Sequence, residues 1–211
     1  MRQRDAYAGR VLVVILLVVL ASPAFADDCF AQLDSRHVAY KRVARPGVAL
    51  AVEITGPLGG VRYVDDEPLV IDCSLAVSLD EAGRYLHDLG IATATVASAY
   101  ARRNVRGTNR PSKHSFGLAI DLPTFDGPDA GTLQVANDFE SGLGDEVDCI
   151  GEPSTHAARA LKILQCQLVR SGLFHLVLSP DYDDDHRDHF HLEVVPWRER
   201  ARVRSPMPAI H

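Results

Sequence analysis

The chain of 211 residues lacks an excess of basic charge, and this absence excludes a large class of functions. It has 22 Lys and Arg residues against 28 Asp and Glu residues, which gives a formal net charge of −6 at pH 7. Proteins that bind nucleic acid generally present a basic surface to the phosphates. We therefore expect no nucleic-acid partner.

Long apolar runs are also missing, apart from one near the N-terminus. The run over residues 11–21 is shorter than the roughly 20 residues that span a bilayer. It follows three arginines and precedes Ala24-x-Ala26, an order that is typical of a secretion signal and its cleavage site. We predict a signal peptide over residues 1–26, export to the periplasm or cell envelope, and no stable membrane span after cleavage. An uncleaved segment that anchors the chain is the alternative.

No Cys-x-x-Cys pair occurs, and this argues against a zinc site built from thiolates. The four cysteines are Cys29, Cys73, Cys149 and Cys166. An even number of cysteines in an exported protein predicts disulfides. Three pairings are possible, and we favour the one between neighbours in sequence, Cys29 with Cys73 and Cys149 with Cys166.

Internal repeats are absent, and the apolar patterns predict a single α+β domain over residues 27–197. Helical spacing of apolar residues predicts α-helices over Ser74–Leu89 and from Ser154 or Thr155 to Val169. We expect a mainly antiparallel sheet flanked by these two principal helices. No element is predicted after Pro196, so residues 198–211 are interpreted as a basic tail, either flexible or in contact with an anionic surface.

Short β-branched segments supply the strands of this predicted sheet. They are Val48–Ile54, Val61–Val64, Ile91–Ala99, Phe116–Leu122, Phe174–Leu178 and His189–Val195. The first two are expected to form a hairpin across the glycine-rich turn between them, and residues 133–136 are either a short strand or a loop.

Two separated histidine clusters carry the chemistry of the chain. The first spans residues 112–121 (SKHSFGLAID) and the second spans residues 186–191 (HRDHFH). Alternation along the last strand places His189 and His191 on one face. Zinc binds imidazole nitrogen and carboxylate oxygen, and a catalytic site keeps three protein ligands and an open position. We predict zinc on His114, Asp121 and one of the last two histidines.

The acidic run Asp181–Asp185 is interpreted as a solvated loop. It lacks the glycine and the distal glutamate of an EF-hand calcium loop. Calcium binding is therefore not expected to be the main function.

Read together, the two clusters resemble the LAS group of metallopeptidases, which comprises lysostaphin-type enzymes, D-alanyl-D-alanine peptidases and the hedgehog signalling domain. The matching residues are Ser112, His114, Gly117, Ala119, Asp121 and His189-x-His191. The fuller pattern His186-x-x-His189-x-His191 is similar to that of penicillin-insensitive murein endopeptidases. The resemblance implies a LAS/hedgehog-like fold.

Within this group the chain more closely resembles the bacterial extensin-like C-terminal domain family, over nearly the whole exported part. The residues that carry this resemblance are Asp72-Cys73, Ser98-Ala-Tyr100 before Arg103-Asn104, and Leu178-Ser-Pro-Asp-Tyr182 before Asp188-His-Phe-His191. One position departs from the family pattern. Arg102 stands where the family often has a cysteine, so one disulfide of the family is not expected here.

The resemblance implies a zinc-dependent amide hydrolase, an endopeptidase or carboxypeptidase that acts on peptidoglycan or other cell-wall peptides. In the LAS group the equivalents of His114, Asp121 and His191 bind zinc. The first histidine of His-x-His acts in catalysis, and here that residue is His189. The alternatives are a zinc-stabilised wall-binding domain without catalysis and a metal-free structural protein.

Four further residues receive predicted roles, each with an alternative. His186 assists catalysis or is a loop histidine in water, and Arg103 binds a substrate carboxylate or belongs to a solvated basic loop. Ser112 binds substrate or caps its local turn. Asp188 orients an imidazole, a task that a backbone carbonyl often performs instead.

Overall fold

A computed structural model describes residues 24–143 and 149–204 of the chain. The predicted signal peptide lies outside the described residues except for its last three positions. No helix in these two ranges is long and apolar enough to cross a membrane. The α-helices in the same ranges are α1 (Ala24–Ser35), α2 (Cys73–Asp88), α3 (Val135–Asp138), α4 (His156–Arg170) and α5 (Trp197–Arg204).

Ten short strands accompany these helices in the described part of the chain. They are β1 (Tyr40–Arg42), β2 (Ala51–Ile54), β3 (Arg62–Val64), β4 (Val70–Asp72), β5 (Thr93–Thr95), β6 (Ala119–Leu122), β7 (Thr124–Gly127), β8 (Gly131–Gln134), β9 (Leu176–Leu178) and β10 (Phe190–Glu193). Two 3₁₀ helices lie at Lys113–Phe116 and Asp184–His186.

The strands form three small sheets, where the sequence predicted one. Their orders are β1-β2-β4, β3-β5-β7-β8 and β6-β10-β9. All strand pairs are antiparallel except β3 with β5. The predicted α+β class with mainly antiparallel pairing is therefore confirmed, whereas the single sheet is wrong.

The predicted hairpin between β2 and β3 is also wrong. β2 pairs with β1 on one edge and with β4 on the other, so neither edge is left for β3. The chain instead turns through a bridge between Leu58 and Val61, and β3 then pairs with β5 in a different sheet. A strand has only two edges, and long-range partners fill both edges of β2.

The two principal helices occur where apolar spacing predicted them. α2 begins after Asp72, whose carboxylate accepts a hydrogen bond from the backbone N–H of Ser74. α4 begins after Thr155, whose hydroxyl accepts a hydrogen bond from the N–H of Ala158. Such caps satisfy N–H groups that have no partner inside the helix. Both helices bury their apolar faces in one core.

Gly117 connects the start of α2 to the segment that carries His114. Its carbonyl accepts a hydrogen bond of 2.9 Å from the N–H of Asp72. Its φ is +63°, and a Cβ built on it would lie 2.9 Å from the Asp72 nitrogen. Glycine is therefore required by both the backbone conformation and the close approach. The backbone of β4 thus approaches the chain closely at Gly117.

Both disulfides have the pairing that the sequence favoured. Cys29–Cys73 joins α1 to the first residue of α2, and Cys149–Cys166 joins a loop to α4. Both bridges constrain the unfolded chain and so stabilise the folded one.

The prediction that no element follows Pro196 is wrong, because α5 lies there. Arg200 explains why this basic segment is held. Its guanidinium donates hydrogen bonds to the hydroxyl of Ser78 and to the carbonyl oxygens of Leu173 and Ser74. The groups that bind Arg200 are distant in sequence. The sequence pattern around Arg200 therefore gives no indication that a helix is held here. Residues 205–211 lie outside the described part.

We predict that Arg200→Ala lowers the free energy of unfolding by about 1–3 kcal/mol, because it removes hydrogen bonds to a partly buried carbonyl. Arg198→Ala is the matched control, since Arg198 is exposed on the same helix, and its effect should stay within about 0.5 kcal/mol. Urea unfolding of both variants measures the difference. Equal stability of the two variants would show that α5 is not held by Arg200.

Candidate metal centre

Asp121 and His191 lie directly opposite each other on two paired strands. The antiparallel register of β6 and β10 makes these two residues partners. Directly opposed side chains project from the same face of a sheet, with Cβ atoms about 5 Å apart. The predicted carboxylate and the last predicted imidazole are therefore brought together by strand pairing.

His114 reaches the same point from outside the sheet. It lies on the 3₁₀ helix Lys113–Phe116 and is fully buried. Ser112 precedes this helix, and its hydroxyl accepts a hydrogen bond from the N–H of His114 at 3.4 Å. Of the two roles predicted for Ser112, the cap of the local turn is therefore present. A contact between Ser112 and substrate stays a prediction.

The three predicted ligands converge, and their separations suit a zinc ion. His114 Nε2 lies 3.3 Å from His191 Nδ1 and 3.3 Å from Asp121 Oδ2. Ligand atoms of a tetrahedral zinc with bonds of about 2.0–2.2 Å are separated by about 3.3–3.6 Å. The third pair, His191 Nδ1 and Asp121 Oδ1, is a 2.6 Å hydrogen bond that a bound ion would replace. Two imidazoles and a carboxylate are a donor set that fits zinc.

Two outer contacts turn the imidazole rings toward this point. His114 Nδ1 lies 3.3 Å from the hydroxyl of Ser98, and His191 Nε2 lies 3.1 Å from Oε1 of Glu193. Such contacts orient metal-binding histidines and raise their basicity. The sequence reasoning assigned neither residue a role. Glu193 could have been found, since it follows His191 by two residues and shares its face of the strand.

The contact of Ser98 with His114 could not have been predicted from the local sequence pattern. It approaches the centre because the chain after β5 forms an isolated bridge between Ser98 and Asp121. Only the tertiary path of the chain creates that bridge.

His189 lies at the open side of the centre. Its Nε2 is 3.5 Å from Asp121 Oδ1, and its Nδ1 is 2.8 Å from Oδ1 of Asp188. The side chain of His189 is 16% exposed, whereas that of His114 is 1% exposed. Asp188 therefore contacts an imidazole, as its predicted role requires.

His186 also joins the cluster. It ends the 3₁₀ helix Asp184–His186, and its Nδ1 lies 2.6 Å from Oδ1 of Asp183. Its ring centre is 5.3 Å from that of His189 and 5.5 Å from that of His191. The structure thus brings all four predicted histidines into one cluster, three of them around the Asp121 carboxylate.

A loop that carries Arg102, Arg103 and Arg106 lies beside the centre. Arg103 Nη2 lies 3.7 Å from Asp121 Oδ2, although 55% of the Arg103 side chain is exposed. Arg102 and Arg103 line a cavity of 440 Å³ together with Phe116. Arg106 pairs with Asp185, which joins the arginine loop to the loop that carries His186.

The charges of the inner residues are strongly coupled. Burial alone would raise the pKa of the Asp121 carboxyl, but hydrogen bonds and charge from His114 and His191 hold that pKa well below its usual range. Burial lowers the pKa of His191, but Asp121 and Glu193 outweigh it and raise the pKa to about 9. The metal-free centre thus contains an imidazolium held between two carboxylates.

One known family matches most of the chain. The sequence profile described as the C-terminus of extensin-like proteins matches residues 27–203. The chain belongs to this family. The predicted resemblance to the extensin-like C-terminal domain family is confirmed, and the matched range includes every residue of the centre. Neither the curated proteins nor the solved structures contain a match to the chain.

We predict that the metal-free protein loses stability as the pH rises. Because folding raises the pKa of His191 from 6.5 to about 9, its contribution is complete below pH 6.5 and is lost as the pH rises through about 9. Thermal unfolding in a chelator between about pH 6 and about pH 9.5 should therefore show a falling midpoint. Asp121→Asn should flatten this fall, whereas Asp129→Asn, at an exposed position, should not. A midpoint that is independent of pH in the unsubstituted protein would contradict the coupling.

Proposed function

We propose that the protein is a zinc-dependent amide hydrolase that acts on peptidoglycan peptides, as an endopeptidase or a carboxypeptidase. One observation carries this proposal. Three buried ligand atoms, from His114, Asp121 and His191, converge beside two more accessible imidazoles. A buried ligand set with proton-transfer groups on its open side is the arrangement that metal-assisted hydrolysis requires.

The zinc would be held by His114 Nε2, an Asp121 carboxylate oxygen and His191 Nδ1. When bound, zinc supplies a Lewis acid that activates water and polarises a carbonyl group. The protein's own part is to fix the ligands. Ser98 and Glu193 restrict the rotation of the two imidazoles, and strand pairing fixes Asp121.

His189 is the proposed proton-transfer residue. Its Nδ1 faces the Asp188 carboxylate, so the proton lies on Nδ1 and Nε2 is left as an acceptor. This Nε2 points toward the centre, where it can accept a proton and later donate it to the leaving amine. His186 Nδ1 faces the Asp183 carboxylate in the same way. With a second proton on Nε2, as an imidazolium, His186 would donate a hydrogen bond to the reacting carbonyl oxygen.

Arg103 is the proposed residue for orienting substrate. Its exposed guanidinium borders both Asp121 and the cavity that Arg102 shares. A planar guanidinium binds a carboxylate through two parallel hydrogen bonds. A peptide carboxylate in this cavity would therefore lie beside the centre, with its amide bond near the histidines.

The substrate class rests on the similarity of the site motif to that of murein endopeptidases and on the predicted export. The stem peptides of peptidoglycan carry free carboxylates, amines and D-amino acids. Their carboxylates can pair with Arg102 and Arg103, and their amines are attracted to a chain with a net negative charge. The LAS/hedgehog-like fold belongs to the same proposal.

A second candidate function is a zinc-stabilised wall-binding domain without catalysis. The separation of 3.5 Å between His189 Nε2 and Asp121 Oδ1 favours it, because a shift of the His189 side chain would add a fourth ligand to the set of three. Zinc sites with four protein ligands are generally structural. The two functions differ in whether His189 binds the metal or transfers protons.

We predict that zinc-loaded protein releases muropeptides from purified sacculi and that a chelator abolishes the release. His189→Ala should lower the rate roughly 10²–10⁴-fold, the usual contribution of general acid–base catalysis, while zinc stays bound. His156→Ala, at an exposed histidine on α4, is the matched control and should keep the full rate. Binding to sacculi without cleavage by protein that carries one equivalent of zinc would favour the wall-binding domain and end the hydrolase proposal.

We further predict that Arg103→Lys raises KM for peptides with a free carboxylate roughly ten-fold and changes kcat less. Lysine keeps the charge but loses the paired hydrogen bonds of the guanidinium. Arg110→Lys, at an exposed position on the same loop, serves as the control. Steady-state kinetics on a soluble muropeptide give the comparison. An unchanged KM in Arg103→Lys would remove Arg103 from substrate binding.

A further inference from the structure

His186 and His189 are each supported by a carboxylate of their own. Each has its Nδ1 within hydrogen-bond distance of a carboxylate, at 2.6 Å from Asp183 and 2.8 Å from Asp188. A carboxylate on Nδ1 places the proton there and leaves the Nε2 lone pair free. This is the usual outer support of a histidine that binds a metal.

The ligand atoms of these two histidines also converge. One nitrogen each from His186, His189 and His191 lies within 4.8 Å of the others, which makes a second set of possible metal ligands beside His114, Asp121 and His191. The two sets have His191 in common. The side chains of His186 and His189 are 18% and 16% exposed, so an ion can reach them from solvent without rearrangement of the core.

We infer that His186 and His189 form a second divalent-cation site, next to the inner site and weaker than it. Imidazole ligands select zinc, copper, nickel and similar ions over magnesium and calcium. When the inner ion occupies His191, only two protein ligands remain for the second ion. Fewer ligands and greater exposure to water make this second ion the weaker of the two.

The second ion would regulate the site, a consequence that rests on the proposed function. It binds the same Nε2 atoms that His189 and His186 use to handle protons. An imidazole whose lone pair is held by a metal accepts no proton. Zinc beyond the first equivalent therefore inhibits hydrolysis, and the rate passes through a maximum as zinc increases.

Metal stoichiometry tests the inference without any assay of activity. Purified protein is stripped with a chelator and titrated with zinc chloride by isothermal calorimetry, and bound zinc is counted after dialysis. The unsubstituted protein should bind one tight and one weaker equivalent. His186→Ala should keep the tight equivalent and lose the weaker one. Asp183→Asn, which keeps both histidines, should weaken the second equivalent roughly 10–100-fold.

His175→Ala is the control for loss of an exposed histidine elsewhere, and it should bind both equivalents. Circular dichroism of each variant confirms folding. A single equivalent in the unsubstituted protein, two equivalents in His186→Ala, or loss of the tight equivalent in His186→Ala would each overturn the inference. Failure of the proposed function alone would give a different result: the protein would bind both zinc equivalents but would not cleave sacculi. A protein that binds no zinc would overturn both.

Discussion

The cross-strand pair of Asp121 and His191 is the interaction on which the rest of the site depends. A carboxylate this deeply buried is costly unless positive or polar groups surround it. The register of β6 and β10 supplies His191 directly opposite, and the 3₁₀ helix supplies His114. The position of that helix is fixed by the Gly117 carbonyl, which binds the start of α2. The core, through α2, therefore determines where the ligands meet.

Around this pair the centre is layered by exposure. The inner layer is His114, Asp121 and His191, all nearly inaccessible to water, whereas the outer layer is His186 and His189, each supported by its own carboxylate. Rigid buried groups suit the holding of an ion, and more accessible imidazoles suit proton transfer or the weaker binding of a second ion. The proposed division of labour between metal binding and proton transfer follows this difference in exposure.

The sequence predicted what short-range patterns determine. The alternation around His191, the helices α2 and α4 with their caps, and the cysteine pairing all depend on neighbours along the chain or on simple counting. Short-range patterns did not predict three other features: the division into three sheets, the contact of Ser98 with His114 and the docking of Arg200. Each of these features depends on the way the tertiary structure brings separate segments together. The hairpin expected at β2 failed for the same reason, since both edges of that strand were already taken.

The position of the first zinc ion tests the central claim most directly. A crystal structure of the protein loaded with one equivalent of zinc, with the ion located by anomalous scattering, would give that position. The account predicts an ion within about 2.0–2.2 Å of His114 Nε2, an Asp121 oxygen and His191 Nδ1, with His189 unbound and the fourth position open to solvent. An ion that takes His189 as its fourth ligand, or that lies outside this set, would contradict the account.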